Sequence, residues 1–200
     1  LATYRQERPD SRVEVLTAAN APLLEALKSG AVDLAIGRMS DPESMVGLTF
    51  ELLYVEPLVF AVRPGHPLLA EPSPSLAAVL NYPLIVSTKG TVPRHNTESL
   101  LHASGLRLPD NCVETLAVTV SALLCLRSDA VWIAPAGAVR EEWARGILAQ
   151  VPIPATGTEE PVGLIRRSEG SLGPCPLYFV ELLRWAARKR RVVERESAGE

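Results

Sequence analysis

The sequence predicts an α/β protein with mainly parallel sheets, arranged as two lobes that share two chain crossovers. Three observations carry this. Short apolar segments alternate with amphipathic ones along most of the chain, the pattern of strand and helix in turn. Two prolines and a glycine fall within Arg63-Pro64-Gly65-His66-Pro67, marking a turn or crossover about a third of the way along. The last apolar strand and a long helix stand isolated behind the polar stretch from Thr156 to Pro161. A chain that leaves a first lobe near Val62, Arg63 and Pro64, builds a second, and returns near Glu160 and Pro161 satisfies all three. This places residues 1–62 and 162–200 in the first lobe and 63–161 in the second, with those five residues as the hinge.

The elements follow in order. Leu1 to Arg8 reads as the tail of a helix already under way, stopped at Pro9-Asp10 because the residue before a proline is driven out of the α region. Val13 and Val15 alternate with charges, which suggests a strand from Arg12 to Thr17. Asn20 is placed as an N-cap and Pro22 in the first turn of a helix whose Leu23, Leu24 and Leu27 share a face and whose end is Gly30. Val32 to Gly37 is a near-continuous apolar strand, and Leu48 to Tyr54 and Leu58 to Val62 complete a first sheet.

Past the crossover, helices are expected at Ser75 to Leu80, Pro93 to Ala103, Thr119 to Leu126 and Ala138 to Ala144. Strands are expected at Leu84 to Ser87, Cys112 to Leu116, Ala130 to Ala134 and Leu148 to Ile153. Strand Val162 to Arg166 and a helix starting at Pro174 or Pro176 close the chain. The apolar stripe of that helix is Leu177, Val180, Leu183 and Ala187.

Composition excludes several classes. With 20 basic and 23 acidic residues and 47% hydrophobic residues in 200, the chain has no general basic field for nucleic acid or anionic lipid. The longest apolar candidate, Leu52 to Val62, is broken by Glu56 and Pro57 and falls short of the roughly 18 residues of a membrane span. Cys112, Cys125 and Cys175 are odd in number and widely spaced, so neither a disulfide framework nor a zinc site is expected; they read as idle thiols in a reducing cytoplasm. The basic run from Arg184 to Arg195 is broken by Glu194 and lacks interleaved aromatics, so it reads as a solvated helix end. No catalytic elbow, phosphate loop or dinucleotide glycine motif occurs, and His66, His95 and His102 have no acidic or cysteine neighbour at metal-ligand spacing. No cofactor is expected.

The loops after strands are more informative. Thr88, Lys89, Gly90 and Thr91 bring hydroxyls, a cation and a glycine to the junction of a buried strand and a helix, which is the chemistry for holding a carboxylate. An ordinary polar connection is the competing explanation. Arg38 emerges from the carboxyl end of a strand, where a guanidinium can grip a carboxylate in two-pronged fashion; a salt bridge to Asp41 or Glu43 competes. Asn20 and Thr119 sit where strands pass into helices, and helix capping alone would explain each. All of these groups fall on one edge of the expected sheets, where open α/β sheets bind ligands.

The order of Pro9, Leu23-Leu24-Glu25-Ala26-Leu27-Lys28-Ser29-Gly30 and Val32-Asp33-Leu34-Ala35-Ile36 resembles the effector-binding domain of LysR-type transcriptional regulators. So do Arg63-Pro64-Gly65-His66-Pro67-Leu68, Pro83-Leu84-Ile85 and Ala134-Pro135. The resemblance covers essentially the whole chain. Gly37-Arg38, Leu53-Tyr54 and Ser128 to Ile133 are similar to regulators of aromatic-acid and sugar catabolism, the protocatechuate-pathway activators in particular. The resemblance implies two Rossmann-like lobes joined by a two-crossover hinge, similar to type 2 periplasmic binding proteins. It implies a small-molecule inducer in the cleft and homodimers or homotetramers. By position it points to Asn20, Arg38, the loop Thr88 to Thr91, and Val118 with Thr119 as ligand-binding groups. Ala117 stands where many members have a serine. The family's first strand and its helix-turn-helix domain would precede Leu1, so DNA is expected as a partner only through that domain.

The expectation is therefore a cytoplasmic, non-enzymatic sensor of a small organic acid. A transporter's solute-binding protein is the first alternative and an enzyme on the same fold the second.

Overall fold

The computed structural model describes the backbone of residues 1–198 and the side chains of residues 1–190, so Arg191, Glu194 and Arg195 of the basic run lie outside the described side chains. In chain order the first elements are α1 (Ala2–Glu7), α2 (Asn20–Lys28), β1 (Ala35–Arg38), β2 (Leu48–Glu56), β3 (Leu58–Val62), a 3-10 turn (Pro67–Ala70), α3 (Leu76–Val79) and β4 (Leu84–Val86). Then come α4 (Val92–Ala103), β5 (Val113–Glu114), α5 (Val118–Arg127), β6 (Val131–Pro135), α6 (Ala136–Ala144), β7 (Ala149–Val151), β8 (Glu160–Arg167) and α7 (Pro174–Ala198). They form two compact units, one of Leu1–Val55 with Pro161–Glu200 and the other of Glu56–Glu160.

The first division falls between Val55 and Glu56, seven residues before the expected one, so Val62, Arg63 and Pro64 lie within the second unit while Glu160 and Pro161 straddle the return. The physical reason is β3. Its five residues are all buried, and it pairs with β6 through Phe60↔Ile133 and with β7 through Phe60↔Val151, both in the second unit. Glu56 and Pro57, which break the apolar run, mark the crossing. The Glu56 carboxylate is buried and accepts the Gly137 N–H at 2.7 Å in the first turn of α6, where a helix start favours an anion.

The first unit holds a three-stranded sheet of order β1-β8-β2. Strand β1 is antiparallel to β8, with Gly37 opposite Gly163. Leu24 and Leu27 of α2 pack with Ala35 and Ile165, as the i, i+3 spacing on an amphipathic helix requires. On α7, Val180 and Ala187 pack with Leu53 and Leu164. Helix α1 is anchored by Tyr4, whose ring lies 5.3 Å from that of Phe179 in an edge-to-face contact. The expected strand from Arg12 to Thr17 does not form. Among the described residues it has no ladder partner, and Val15 remains 68% exposed: alternation without a paired neighbour does not make a strand.

The second unit has a five-stranded sheet of order β5-β4-β6-β3-β7. Strands β5, β4 and β6 are parallel, whereas β3 runs against both β6 and β7, so this sheet is mixed; with β1 antiparallel to β8 in the first unit, the expected mainly parallel arrangement does not hold. Helical crossovers join β4 to β5 and β5 to β6, which is what parallel pairing needs; β3 enters from the other unit and is free of that constraint. The two faces of the sheet are separately filled. Leu58, Phe60, Val62, Leu84, Val86 and Ile133 form one core cluster, while Val59, Ala61, Ile85, Trp132 and Ala134 form another beneath α5 and α6. His66, 1% exposed, caps the 3-10 turn by accepting the Leu68 N–H at Nδ1 over 3.1 Å.

Candidate functional site

In the second unit the parallel run β5-β4-β6 sends α5, α4 and α6 from one edge of the sheet, so three helix starts are neighbours there. The Thr115 N–H donates to the Val86 carbonyl at 3.0 Å, tying the approach to α5 to the end of β4. The loop 88–91 and the start of α5 at Val118 and Thr119 thereby leave the same edge of the sheet.

Between β4 and α4, Gly90 holds φ of +79°, a left-handed conformation that a side chain would strain. Thr91 is the N-cap of α4. Its hydroxyl oxygen accepts the Arg94 N–H at 3.4 Å, and its hydroxyl donates to the Thr88 carbonyl at 2.7 Å, closing the loop on itself. Lys89, Gly90 and Thr91 line one cavity of about 550 Å³ together with Val92, Arg94, His95 and Glu98. Lys89 is exposed.

At α5 the N-cap position is Ala117 and not Thr119, which sits one residue inside the helix start at Val118; no side-chain cap hydrogen bond is made. Thr115 Oγ1 accepts the Ala117 N–H at 3.0 Å, but the N–H groups of the first turn have no capping oxygen from the Ala117 side chain. Helix α4 is closed by a hydroxyl and α5 is open.

In the first unit Asn20 is the first residue of α2, whose N-cap is Ala19, again without a side-chain cap bond. The expected capping role for Asn20 is replaced by a tertiary one: its Nδ2 donates to the backbone carbonyl of Arg38 at 3.1 Å. Gly37 leaves room for this amide, since a Cβ there would stand 3.0 Å from Asn20 Oδ1. Asn20 and Arg38 are therefore adjacent, and both are half-buried.

Sequence reasoning did not single out Arg94, Glu98 and Glu114. The guanidinium of Arg94 is buried behind the loop and pairs with Glu98 at 2.6 Å and Glu114 at 2.8 Å. Hydrogen bonding from Arg94 holds the Glu114 carboxyl below the ordinary carboxylate value. The i, i+4 spacing of Arg94 and Glu98 was visible in the chain; Glu114 becomes their neighbour only through the β4–β5 pairing. Among the described residues no group of three or more His, Cys, Asp or Glu side chains could hold a metal ion. No described helix is long and apolar enough to cross a membrane.

The sequence model described as the LysR substrate binding domain matches residues 1–188. The chain is 39% identical over 171 residues to the uncharacterized HTH-type transcriptional regulator YdcI of Escherichia coli, covering 86% of this chain and 55% of that protein. It is 37% identical over 172 residues to the HTH-type transcriptional regulator PcaQ of Agrobacterium fabrum, covering 84% and 54% respectively. The chain thus spans about half the length of these relatives. Its fold is similar to the effector binding domain of QuiR in complex with shikimate, with a TM-score of 0.72 at 18% identity over 94% of this chain and 88% of that one. A likeness of TM-score 0.72 at 16% identity, over 93% and 88%, holds for the regulatory domain of Synechocystis CcmR in complex with 2-PG. At these identities the two structures show the fold, two lobes of the periplasmic-binding-protein kind.

Proposed function

From the premise that the chain belongs to the LysR substrate binding domain family, we propose that it is the inducer-sensing and oligomerising part of a cytoplasmic transcriptional regulator, and that its inducer is a small organic carboxylate. DNA is contacted by a helix-turn-helix domain elsewhere in the full-length protein; the relatives are named HTH-type and this chain covers about half of each. In this reading Lys89 neutralises the carboxylate, and Thr88, Thr91 and the backbone N–H groups at Gly90, Val118 and Thr119 supply hydrogen bonds. Arg38 and Asn20, in the first unit, are proposed as inducer-binding residues in their own right. Shikimate, the molecule bound by one structural neighbour, is itself a carboxylate.

The observation that carries the proposal is that α5, whose start has no side-chain cap, and the Lys89–Thr91 loop leave the same edge of one sheet. Uncapped helix N–H groups, an ammonium and hydroxyls at that edge favour a negative charge. Binding here requires no turnover, and the proposal assigns none. The inducer would regulate by favouring one pre-existing arrangement of the domain, to the extent that its affinity differs between arrangements. Homodimers or homotetramers would pass that preference to DNA.

The test is a thermal-shift screen of aromatic-catabolite acids and sugar acids, followed by calorimetry of any hit against wild type and Lys89→Ala. A hit acid whose affinity falls in the variant supports the assignment. A hit whose affinity is unchanged in Lys89→Ala removes Lys89 from the site.

A further inference from the structure

The cavity beside α4 contains two kinds of cation, and their surroundings differ. Lys89 is exposed, whereas Arg94 is 5% exposed and engaged within the unit. Nε of Arg94 donates to Glu98 Oε1 at 2.6 Å, and Nη1 lies 2.8 Å from Glu114 Oε1 and 3.4 Å from the Ser87 carbonyl. The donors therefore point at the last residue of β5, at the exit of β4 and along α4. Glu114 thus ties the guanidinium to the strand that pairs with β4, from which the loop departs. On the opposite side Thr91 links the Arg94 N–H to the Thr88 carbonyl. The Arg94 guanidinium thus holds the entry of the loop at the Ser87 carbonyl, while Thr88 and Thr91 are tied to the Arg94 main chain at its other end.

A buried guanidinium with two carboxylate partners is satisfied, and releasing it toward a ligand would leave those carboxylates uncompensated. Lysine could not replace it, because one ammonium cannot serve acceptors lying in three directions. We infer that Arg94 is a positioning residue of the proposed inducer site: clamped by Glu114 and Glu98, it holds the 88–91 loop ready for an anion and does not itself bind one. This inference rests on the inducer reading of that loop. Its energetic content is preorganisation, since a loop ordered beforehand loses less entropy when the ligand arrives.

Glu114→Gln separates the two possible roles. If Arg94 bound the anion directly, removing a neighbouring negative charge would leave affinity unchanged or raise it. If Arg94 positions the loop, loosening the clamp lowers affinity. The experiment has two arms on wild type, Glu114→Gln and Arg94→Lys. In the first, amide hydrogen exchange is followed without ligand. The Lys89 to Thr91 amides are expected to exchange roughly tenfold faster in both variants, with the amides of β3 unchanged. In the second, protocatechuate and shikimate are titrated calorimetrically, and the affinity of whichever binds is expected to fall roughly 5- to 20-fold in both variants. Unchanged exchange at 89–91 overturns the positioning role, and so does equal or tighter binding by Glu114→Gln. Should neither acid bind wild type, that result counts against the carboxylate reading alone, and the exchange measurement still decides whether Arg94 positions the loop.

Discussion

The side-chain amide of Asn20 donates to the main-chain carbonyl of Arg38 across 3.1 Å, joining the first residue of α2 to the last residue of β1. The bond is possible because Gly37 carries no side chain where the amide lies. It orients the backbone from which the Arg38 side chain departs.

Replacing Asn20 by Ala removes that bond and is expected to destabilise the protein by about 0.5–1.5 kcal/mol. Arg38→Ala keeps the main-chain acceptor and should weaken a bound carboxylate by ~1.5–3 kcal/mol. Urea unfolding of Asn20→Ala and calorimetry of Arg38→Ala check the two in turn; unchanged affinity in the second would remove Arg38 from inducer binding.

Gly163→Ala tests the packing of the first sheet. A Cβ there would meet the Phe50 ring and stand 2.7 Å from the Glu51 carbonyl oxygen, which belongs to a strand backbone and cannot swing away. The expected loss is about 1–3 kcal/mol by overpacking. Gly105→Ala, where nothing lies within 4 Å but φ is +71°, should show only the smaller penalty of its backbone conformation, about 1 kcal/mol. A thermal melt that ranks the two in the opposite order would contradict the packing argument.

Acid sensitivity follows from two carboxyls. Glu51 is held below its ordinary value of 4.5, first by hydrogen bonding from Arg184, and Glu114 likewise by Arg94. A carboxyl depressed on folding contributes stability that is full above its unfolded value and is lost as pH falls through its folded one. Stability should therefore fall as pH drops below about 4.5. Glu114→Gln should make that acid limb shallower, read by denaturant unfolding at successive pH values. An unchanged slope would mean that the Arg94 pairing contributes nothing to acid sensitivity.

The thiols should react in order of exposure. Burial pushes the Cys125 thiol up to about 11, and its sulfur lies against the Ala61 carbonyl at 3.8 Å, whereas Cys175 is exposed. Iodoacetamide at pH 8 should label Cys175 first, Cys112 more slowly, and Cys125 only on unfolding. Early labelling of Cys125, read by peptide mass mapping, would mean that the second core opens.

Much of this was legible in the chain. Continuous apolar runs flanked by turn residues located β3, β4 and β6, because each is buried on both faces and its composition says so. The cap at Thr91 was readable from its place ahead of Val92-Pro93. Asn20 was misplaced as a cap, and capping, the competing explanation for Thr119, does not hold there either, because capping depends on where the first helical turn begins, a one-residue question that composition does not answer. The strand expected at residues 12–17 failed for a different reason: alternation records a tendency, and a ladder needs a neighbour. Arg94 was overlooked since its second carboxylate is twenty residues away in sequence and adjacent only through strand pairing.

Strand β2 runs from Leu48 in one unit to Glu56 in the other, and its final side chain seats on the Gly137 N–H. One strand thus answers to two masters: its last residue to the helix start that the carboxylate serves, the residues ahead of it to the core of the first unit, where Leu53 packs with Leu164. A one-residue insertion between Leu48 and Leu53 would turn Leu53 to the other face of the pleat and out of that core. Insertions and deletions should therefore be tolerated in the turn before Leu48 and refused within the strand itself.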